Sequence, residues 1–324
     1  MNISPDHKKI AVIIPCYKVK KHILQVLAGI GPEVDAVYVV DDKCPENSGQ
    51  HVIENCSDPR VRVLLKPKNS GVGGAVVHGY AAGLGDGMDV FVKIDGDGQM
   101  DPSLIKKFIN PILRGDADYT KGNRFHDIES LQQMPKVRLV GNAVLSFLTK
   151  FSSGYYGIFD PTNGYTAISA TALNFIPLAK LSKRYFFESD ILFRLNIARA
   201  KVCDIPMDAV YGDEESNLNI KKIIFPFFKG NMKNIFKRIF YNYFLRGFSI
   251  ASVELVFGII FVLFGTFHGC SAWYESILHN SPATSGSVML AALPIIVGLQ
   301  LLLSFLHSDI ESQPTTAITK LLED

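Results

Sequence analysis

The sequence has few cysteines, and their positions suit neither a metal site nor a disulfide framework. Only 5 cysteines occur in 324 residues, and none of them forms a Cys-x-x-Cys pair. An odd number without regular spacing indicates reduced thiols, most of them buried as small apolar side chains. Residues 1–9 are polar and lack the apolar core of a secretory signal. We therefore expect the N-terminal part of the chain to stay in the cytosol.

Two common nucleotide-binding motifs are missing as well. The glycine-rich turn at residues 71–74 has no lysine, so it differs from a phosphate-binding P-loop. It also does not match the GxGxxG fingerprint, and the lack of that fingerprint after the first strand disfavours a nicotinamide-dependent oxidoreductase. Close packing of a helix against a sheet is the alternative role of this turn. The chain has no internal repeat and no low-complexity segment.

The C-terminal third is strongly apolar. Apolar residues make up 48% of the chain and the mean hydropathy is +0.17, which is high for a fully soluble protein. Residues 248–267 and 288–306 are almost wholly apolar, and each approaches the ~20 residues of a membrane-spanning helix. A buried helical hairpin in a soluble core is the alternative.

Charge is distributed unevenly around these two segments. Residues 269–287 between them contain no lysine or arginine, whereas residues 220–247 before them contain many and no acidic residue. The positive-inside rule then predicts an integral, multi-pass membrane protein of a bacterial inner membrane or the endoplasmic reticulum. The rule also places both termini in the cytoplasm.

The basic residues of 220–247 alternate with aromatic ones. This composition predicts amphipathic helices that lie in the membrane interface. It can also mark nucleic-acid binding, but its position directly before a membrane span disfavours that, and we expect no nucleic-acid partner. The predicted boundaries are 1–219 for an α/β domain, 220–247 for interfacial helices, 248–308 for the two spans and 309–324 for a cytoplasmic tail.

Within the first 219 residues, short apolar runs alternate with helical patterns. The runs are Lys9–Pro15, Ala36–Val40, Val61–Leu65 and Met88–Ile94. This alternation predicts an α/β fold with a largely parallel sheet covered on both faces. Ligands bind such sheets beyond the carboxyl ends of the strands, where Pro15, Asp42 and Asp95 all occur. A binding site is therefore expected at that edge.

Two carboxylates one residue apart, Asp95 and Asp97, follow the last of these runs, each beside a glycine. Oxygen ligands grouped in this way suit Mg²⁺ or Mn²⁺, often shared with the phosphates of a substrate. The alternative is a polar turn that caps the next helix, with Asp101 as N-cap and Pro102 as first helical residue. The sequence of this turn alone does not decide between a metal site and a helix cap.

Four motifs follow one another in the α/β part of the chain. They are Val12-Ile13-Ile14-Pro15-Cys16-Tyr17, Val39-Val40-Asp41-Asp42, Lys68-Asn69-Ser70-Gly71 and Asp95-Gly96-Asp97-Gly98-Gln99. In order and spacing they resemble the inverting family 2 glycosyltransferases with the GT-A fold, which is Rossmann-like. The apolar C-terminal segments narrow the resemblance to the polyisoprenyl-phosphate glycosyltransferases, relatives of dolichol-phosphate mannose synthase. It covers essentially the whole chain: catalytic domain, interfacial helices and two transmembrane helices.

The resemblance implies a nucleotide-sugar site and a metal site at these motifs. The residues implied to bind the nucleotide sugar are Pro15, Tyr17, Asp42, Asn69, Gly71, Asp95 and Gly96. Asp97 and Gln99 would hold Mg²⁺ or Mn²⁺ against the diphosphate, with Asp95 close by. A generic acidic turn gives no reason for an amide at position 99.

The resemblance also implies residues around the sugar and the acceptor. Asp160 matches an acidic residue beside the transferred sugar. Glu188 and Asp190 fall where the family carries an adjacent acidic pair, and which of them is equivalent stays open. The loop 211–217 resembles one that closes over phosphate, but it is acidic here. The residues that would bind the acceptor phosphate instead are Arg124, Arg138, Lys221 and Lys222. Surface salt bridges are an equal alternative for the two arginines.

The implied activity is metal-dependent transfer of a sugar, by preference from a UDP-hexose, to polyprenyl phosphate with inversion. A lipid phosphate is ionised near neutral pH and needs no strong base, whereas a hydroxyl acceptor would need Asp190 as base. Two alternatives stay open: a transferase acting on a lipid or glycan hydroxyl, and a non-catalytic membrane partner that binds nucleotide sugar. Two transmembrane helices are a small membrane anchor, and the interfacial helices offer a broad surface. We therefore also expect a homo-oligomer.

Overall fold

The computed structural model of the chain describes residues 7–126, 136–208 and 220–323. Side chains at 136–140, 142, 220–224 and 323 are outside that description. The chain forms two compact units, one of residues up to 235 together with those from 314 on, the other of residues 236–313. The predicted boundary at residue 219 lies outside the described residues, and the C-terminal residues from 314 belong to the first unit.

The first unit is built on one sheet. Its strands in the described ranges are β1 Ile10–Cys16, β2 Ala36–Asp41, β3 Val61–Leu65, β4 Val90–Lys93, β5 Tyr119–Asn123, β6 Thr166–Ser169 and β7 Val202–Pro206. They are ordered β3-β2-β1-β4-β6-β5-β7. β6 runs antiparallel to β4 and β5, and the other neighbours pair in parallel.

Helices cover both faces of this sheet. They are α1 Ile23–Ala28, α2 Ser48–Asn55, α3 Val72–Gly85, α4 Ile105–Leu113, α5 Lys136–Ser153, α6 Ala170–Asn174, α7 Phe187–Ile197 and α8 Ile220–Phe240, with α8 continuing into the second unit. Ile13 and Phe91 belong to the core on one face, and Val12 and Val92 to the core on the other. Central strands buried on both faces explain why their apolar runs show no alternation.

The predicted largely parallel α/β fold is confirmed, with one addition: the sheet contains the antiparallel strand β6. The expected capping role of Asp101 is also seen, because its Oδ1 accepts a hydrogen bond from the Ser103 backbone N–H at 2.9 Å. A 3₁₀ turn at Pro102–Leu104 then leads into α4.

The C-terminal residues pack on the first unit through a short helix, α11 (Ile318–Glu323). Asp118, just before β5, is completely buried and accepts hydrogen bonds from the backbone of Ile318 (2.8 Å) and Lys201 (2.8 Å). The Thr319 hydroxyl donates to its other oxygen at 3.1 Å. Ala317 and Ile318 are buried as well. One carboxylate thus joins β5, the start of β7 and the C-terminal helix.

Replacing Asp118 by asparagine is expected to lower the free energy of unfolding of the first unit by about 2 kcal/mol. An amide cannot accept all of these hydrogen bonds, and buried donors are left without a partner. Hydrogen–deuterium exchange of residues 317–323 in the full-length protein would measure the loss directly. Thr319→Val, which removes one hydrogen bond, should cost about 1 kcal/mol. Unchanged protection of α11 in Asp118→Asn would contradict this role.

The second unit contains two long apolar helices, α9 (Ile250–Leu278) and α10 (Ser285–Glu311). A π-helical turn, Tyr241–Leu245, precedes them. In each helix the most apolar window has a mean hydropathy of 2.3, with only 22% of it buried in α9 and 11% in α10. Both are long and apolar enough to cross a membrane, and both exceed the predicted segments in length.

Small residues let α9 and α10 approach closely. A Cβ added at Gly265 would lie 2.6 Å from the Ala291 carbonyl oxygen, and one at Gly298 would lie 2.9 Å from the Gly258 carbonyl oxygen. Such contacts are possible only without side chains, and they favour tight helix pairing in the absence of water.

A buried ion pair lies in the same unit. The Arg238 guanidinium donates through both terminal nitrogens to the two Asp309 oxygens, each at 2.7 Å. The Tyr243 hydroxyl donates to Asp309 Oδ1, also at 2.7 Å. Arg238 and Asp309 are 1% and 2% exposed. This cluster joins α8, the π-helical turn and the end of α10.

Candidate active site

Asp42 directly follows β2 and organises the loop that follows β3. Its carboxylate accepts hydrogen bonds from the backbone of Ser70 (2.9 Å) and Gly71 (2.7 Å) and pairs with the Lys66 ammonium at 3.1 Å. Burial alone would raise the pKa of Asp42, but these partners outweigh it and hold the pKa below its ordinary value. Asp42 therefore stays ionised while it holds the 66–71 loop against β2.

The glycine-rich turn packs against the segment that leads into α7. Gly71 has φ +86, and a Cβ added there would lie 2.6 Å from the Lys183 carbonyl oxygen. At Gly73 an added Cβ would lie 2.4 Å from the Ser182 carbonyl oxygen. The Gly74 N–H donates to the Lys183 carbonyl at 3.0 Å. Close packing thus accounts for these glycines, and the packed segment is the one that positions α7.

The acidic turn begins two residues after β4. Asp95, Asp97 and Gln99 are all half-buried, so their oxygens are within reach of a ligand. Gly98 has φ +78, and the Gln99 N–H donates to Asp97 Oδ1 at 3.0 Å. Carboxylate and amide oxygens on a partly open turn fit a hard divalent cation that keeps other positions free.

The protein donors at this turn are few. Among the described residues, no group of three or more His, Cys, Asp and Glu side chains is arranged to hold a metal ion. A cation at Asp97 and Gln99 would therefore need further oxygen ligands, such as those of a diphosphate.

The last residue of β4, Lys93, is a functional candidate that sequence reasoning missed. It is 1% exposed, and its ammonium lies 3.0 Å from Asp95 Oδ1 and 3.5 Å from Glu188 Oε1. Burial alone would lower the pKa of Lys93, but the charges of Asp95 and Glu188 outweigh it and raise the pKa above its ordinary value. The available signal was a charged residue inside an otherwise apolar buried strand, between Val92 and Ile94.

A second buried lysine, Lys121, lies in the same row of the sheet. Lys93 and Lys121 are both register partners of Thr166 in β6, and Asp204 is the partner of Lys121 in β7. The Lys121 ammonium donates to the Asn163 backbone carbonyl. β4 and β5 therefore each contribute one buried lysine at the same level of the sheet.

Lys121 is predicted to make stability depend on pH. Burial lowers the pKa of Lys121 to about 8. The negative charges of Glu188, Asp160 and Asp204 oppose this shift, and the positive charge of Lys93 adds to it. Because the pKa in the unfolded chain is about 10.4, the unfolded chain binds more protons between these values. Wild-type stability should therefore rise by about 2 kcal/mol, relative to Lys121→Met, between pH 8 and pH 10.

Chemical denaturation of both proteins across this pH range tests the prediction. Lys107→Met, at an exposed position in α4, controls for the loss of one positive charge. Parallel pH profiles for wild type and Lys121→Met would show that the lysine stays protonated.

Asp160 is completely buried and is held by Arg124. The Arg124 Nε donates to Oδ2 at 2.7 Å and its Nη2 donates to Oδ1 at 3.1 Å. The Asn163 side-chain amide donates to Oδ2 at 3.3 Å. A fully buried carboxylate in a two-pronged pair is no ordinary surface salt bridge, so the pair holds the 160–163 loop on the end of β5.

The structure separates the two acids of α7. Asp190 is 5% exposed, and its oxygens accept from Ser182 N–H (2.9 Å), Arg194 Nε (3.1 Å) and the Asn234 amide (3.2 Å). Its carboxylate therefore fastens α7 to neighbouring segments. Glu188 instead contacts Lys93 at the strand ends. Of the two, Glu188 is the one linked through Lys93 to Asp95 of the acidic turn.

The remaining predicted site residues differ in exposure. Pro15 is half-buried and pairs with Val40, whereas Tyr17 and Asn69 are exposed. Gly96 is buried, and an added Cβ would lie 3.1 Å from Ile23 in α1. Three predicted acceptor residues have side chains outside the described part of the structure: Arg138, Lys221 and Lys222. The whole loop 211–217 also lies outside the described residues.

Comparison with solved structures places the mostly parallel sheet in the GT-A fold class. The chain resembles glucosyl-3-phosphoglycerate synthase from Mycobacterium tuberculosis in complex with UDP, with a TM-score of 0.54 and 18% identity over 71% of this chain and 80% of that one. The same enzyme crystallised with Mn²⁺, UDP-glucose and phosphoglyceric acid gives a TM-score of 0.54 at 18% identity, covering 71% and 79%. At this identity the likeness shows the fold.

Residues 11–176 match the family described as glycosyl transferase family 2, and the chain belongs to that family. It is 30% identical over 218 residues to UDP-N-acetylglucosamine–dolichyl-phosphate N-acetylglucosaminyltransferase of Methanococcus voltae, covering 63% of this chain and 86% of that protein. It is also 30% identical over 207 residues to undecaprenyl-phosphate mannosyltransferase of Micrococcus luteus, covering 62% and 84%. Over 202 residues it is 30% identical to polyprenol monophosphomannose synthase of Mycolicibacterium smegmatis, covering 60% and 75%. The predicted family and the predicted glycosyltransferase activity are confirmed.

Proposed function

We propose that this protein transfers a sugar from a nucleotide sugar to polyprenyl phosphate at the cytoplasmic face of a membrane. One observation carries the proposal: a single chain joins a family 2 catalytic unit, with its acidic turn, to two apolar helices long enough to span a membrane. Relatives of this chain are named for transfer to dolichyl phosphate and undecaprenyl phosphate. A lipid acceptor would also explain the apolar helices, because the enzyme must then bind a substrate that lies in the bilayer.

Asp97 and Gln99 are the proposed ligands of Mg²⁺ or Mn²⁺. When bound, the ion would neutralise the charge that grows on the leaving diphosphate. GT-A neighbours crystallised with Mn²⁺ and UDP-glucose support the choice of ion and donor class. The residues that stay proposed for the nucleotide-sugar site are Pro15, Tyr17, Asp42, Asn69, Gly71, Asp95 and Gly96. Asp42 would act by holding the 66–71 loop at that site.

Glu188 and Asp160 are proposed to orient the transferred sugar. The Glu188 carboxylate is held by Lys93 and keeps enough exposure to accept hydrogen bonds from sugar hydroxyls. The completely buried Asp160 would act through Arg124 and through the 160–163 loop that the pair fixes. The lipid phosphate oxygen is already ionised and would attack the anomeric carbon from the face opposite the diphosphate, with inversion. No residue then has to remove a proton from the acceptor.

We also propose that α9 and α10 cross the membrane as a hairpin. The chain leaves the first unit at residue 235 and returns to it at residue 314. This connectivity supports placing both ends of the intervening segment on one side of the bilayer, and the basic residues of 220–247 support the cytoplasm as that side. The largely unburied surfaces of the two helices would suit a homo-oligomer, which light scattering of the detergent-solubilised protein would test.

The test of function uses the purified full-length protein with Mn²⁺, a panel of radiolabelled UDP- and GDP-sugars, and undecaprenyl or dolichyl phosphate. The expected product is a glycolipid that mild acid cleaves, because a sugar bonded to a phosphate is labile. A product stable to mild acid would point to a hydroxyl acceptor. Donor binding without turnover would favour a non-catalytic partner protein. No glycolipid with any donor would contradict the proposal.

A further inference from the structure

The charge at the acidic turn is partly compensated from inside the protein. The Lys93 ammonium lies 3.0 Å from Asp95 Oδ1 and is only 1% exposed. Asp95 also has its backbone N–H directed to the Met100 sulfur at 3.3 Å. One oxygen of Asp95 is therefore held toward the buried end of β4, and Asp97 follows two residues further along the half-buried turn.

The loop after Asp160 covers this ion pair. A Cβ added at Gly164 would lie 2.5 Å from Lys93 Nζ and 2.9 Å from Asp95 Oδ2. The backbone at Gly164 thus lies directly on the pair, with Lys93 buried beneath it and the Asp95 side chain 29% exposed. Even in a watery dielectric, charges a few ångströms apart interact by about 1 kcal/mol, so the ammonium influences a cation bound at the neighbouring turn.

A fixed ammonium beside one of two carboxylates weakens the turn as a site for a free dication. The ammonium repels the dication and competes with it for Asp95, while a diphosphate brings oxygens and negative charge of its own. Among the described residues, no additional acidic or histidine cluster makes up for this loss. The protein part of the site is therefore incomplete without the nucleotide.

We propose that Lys93 is a positioning residue that withholds Asp95 from the cation, so that the divalent ion binds and leaves together with the nucleoside diphosphate. This inference rests on the proposed donor and metal site. It gives Lys93 two linked effects: it keeps the free enzyme poor in metal, and it holds Asp95 and Glu188 in fixed positions. Ready release of the cation with the product diphosphate then follows from the weak protein site.

The test is direct measurement of Mn²⁺ binding by electron paramagnetic resonance, with and without UDP, for wild type and Lys93→Met. Methionine is one atom shorter than lysine, keeps an unbranched side chain and removes the charge. Without UDP, the variant should bind Mn²⁺ about tenfold more tightly, the expected effect of one unit charge several ångströms from a dication in a watery dielectric. With UDP the difference should shrink, while kcat falls at least tenfold because Asp95 and Glu188 lose their common partner.

Lys66→Met is the matched control. Lys66 is another poorly exposed lysine paired with a strand-end aspartate, Asp42, at 3.1 Å, but it is not in the acidic turn. Its replacement should leave nucleotide-free Mn²⁺ affinity unchanged. If Lys93→Met folds poorly because Glu188 loses its cation, the comparison of Lys93→Met/Glu188→Gln with Glu188→Gln alone provides the same measurement with one buried charge fewer.

The outcomes separate this inference from the proposed function. Unchanged or weaker Mn²⁺ binding in the Lys93 variants, with UDP-dependent Mn²⁺ binding intact in the wild type, would overturn the role of Lys93 alone. Absence of UDP-dependent Mn²⁺ binding in the wild type would overturn the proposed metal site and this inference with it. A merely structural lysine would lower thermal stability and leave nucleotide-free Mn²⁺ affinity as it is.

Discussion

Asp97→Ala is expected to lower kcat about a thousandfold and to abolish the Mn²⁺-dependent part of UDP binding. Asp97 is a proposed ligand of the dication on the half-buried turn, and the Gln99 N–H donates to its Oδ1 at 3.0 Å. Without that ion, the charge on the leaving diphosphate is not neutralised, and losses of this size are typical when such stabilisation is removed. Steady-state kinetics and calorimetric titration of UDP with and without Mn²⁺ measure the two effects.

Asp101→Asn is the matched control for this variant. Asp101 lies four residues further along the same turn and caps the 3₁₀ helix through Ser103. Its replacement should leave kcat within about twofold and cost at most ~1 kcal/mol of stability, as a weakened N-cap does. Equal activity losses in both variants would mean that the turn acts through its conformation, and full activity of Asp97→Ala would exclude it from the metal site.

Arg238→Met is expected to lower the free energy of unfolding of the second unit by about 3–5 kcal/mol, the usual effect of leaving a buried charge without its partner. Asp309 is 2% exposed and loses both guanidinium hydrogen bonds, while the Tyr243 hydroxyl still donates to it. Thermal or SDS-induced unfolding of the full-length protein in detergent would measure the change.

Two further variants identify the cause. Arg238→Met/Asp309→Leu removes both charges and should recover much of the lost stability, because no unpaired ion remains. Glu311→Gln breaks the exposed contact to His307 at 3.5 Å, one helical turn away, and should change stability by less than about 0.5 kcal/mol. A double variant no more stable than Arg238→Met would show that packing, and not charge, sets the stability there.

Local patterns were sufficient for most of the architecture. The apolar runs predicted the buried strands, the two long apolar segments predicted α9 and α10, and the order of four short motifs predicted the family. These features depend on residues close together in the chain, whose burial and periodicity can be read directly. The proposed metal turn belongs to this class as well, since Asp95, Asp97 and Gln99 lie within five positions.

Local sequence patterns did not predict which side chains contact one another in the candidate site. From the sequence alone, Glu188 and Asp190 are equivalent acidic residues. In the structure, Glu188 contacts Lys93. Asp190 instead accepts hydrogen bonds from Ser182, Arg194 and Asn234. The direction of each side chain follows from the placement of α7, which in turn depends on its packing against the glycine-rich turn. Arg124 was predicted as an acceptor ligand, and its pairing with a buried Asp160 adds a role that no spacing indicated.

By itself, the sequence determined the α/β class, the family, the acidic turn and the two apolar helices, because each rests on short-range composition and order. Only the tertiary structure decided that β6 lies antiparallel between β4 and β5, which brings Lys93 and Lys121 opposite the same Thr166. It also decided that the chain returns to Asp118 after the apolar hairpin. Such pairings join residues many positions apart, and their energies come from strand register, burial and side-chain direction, which exist only once the chain has folded.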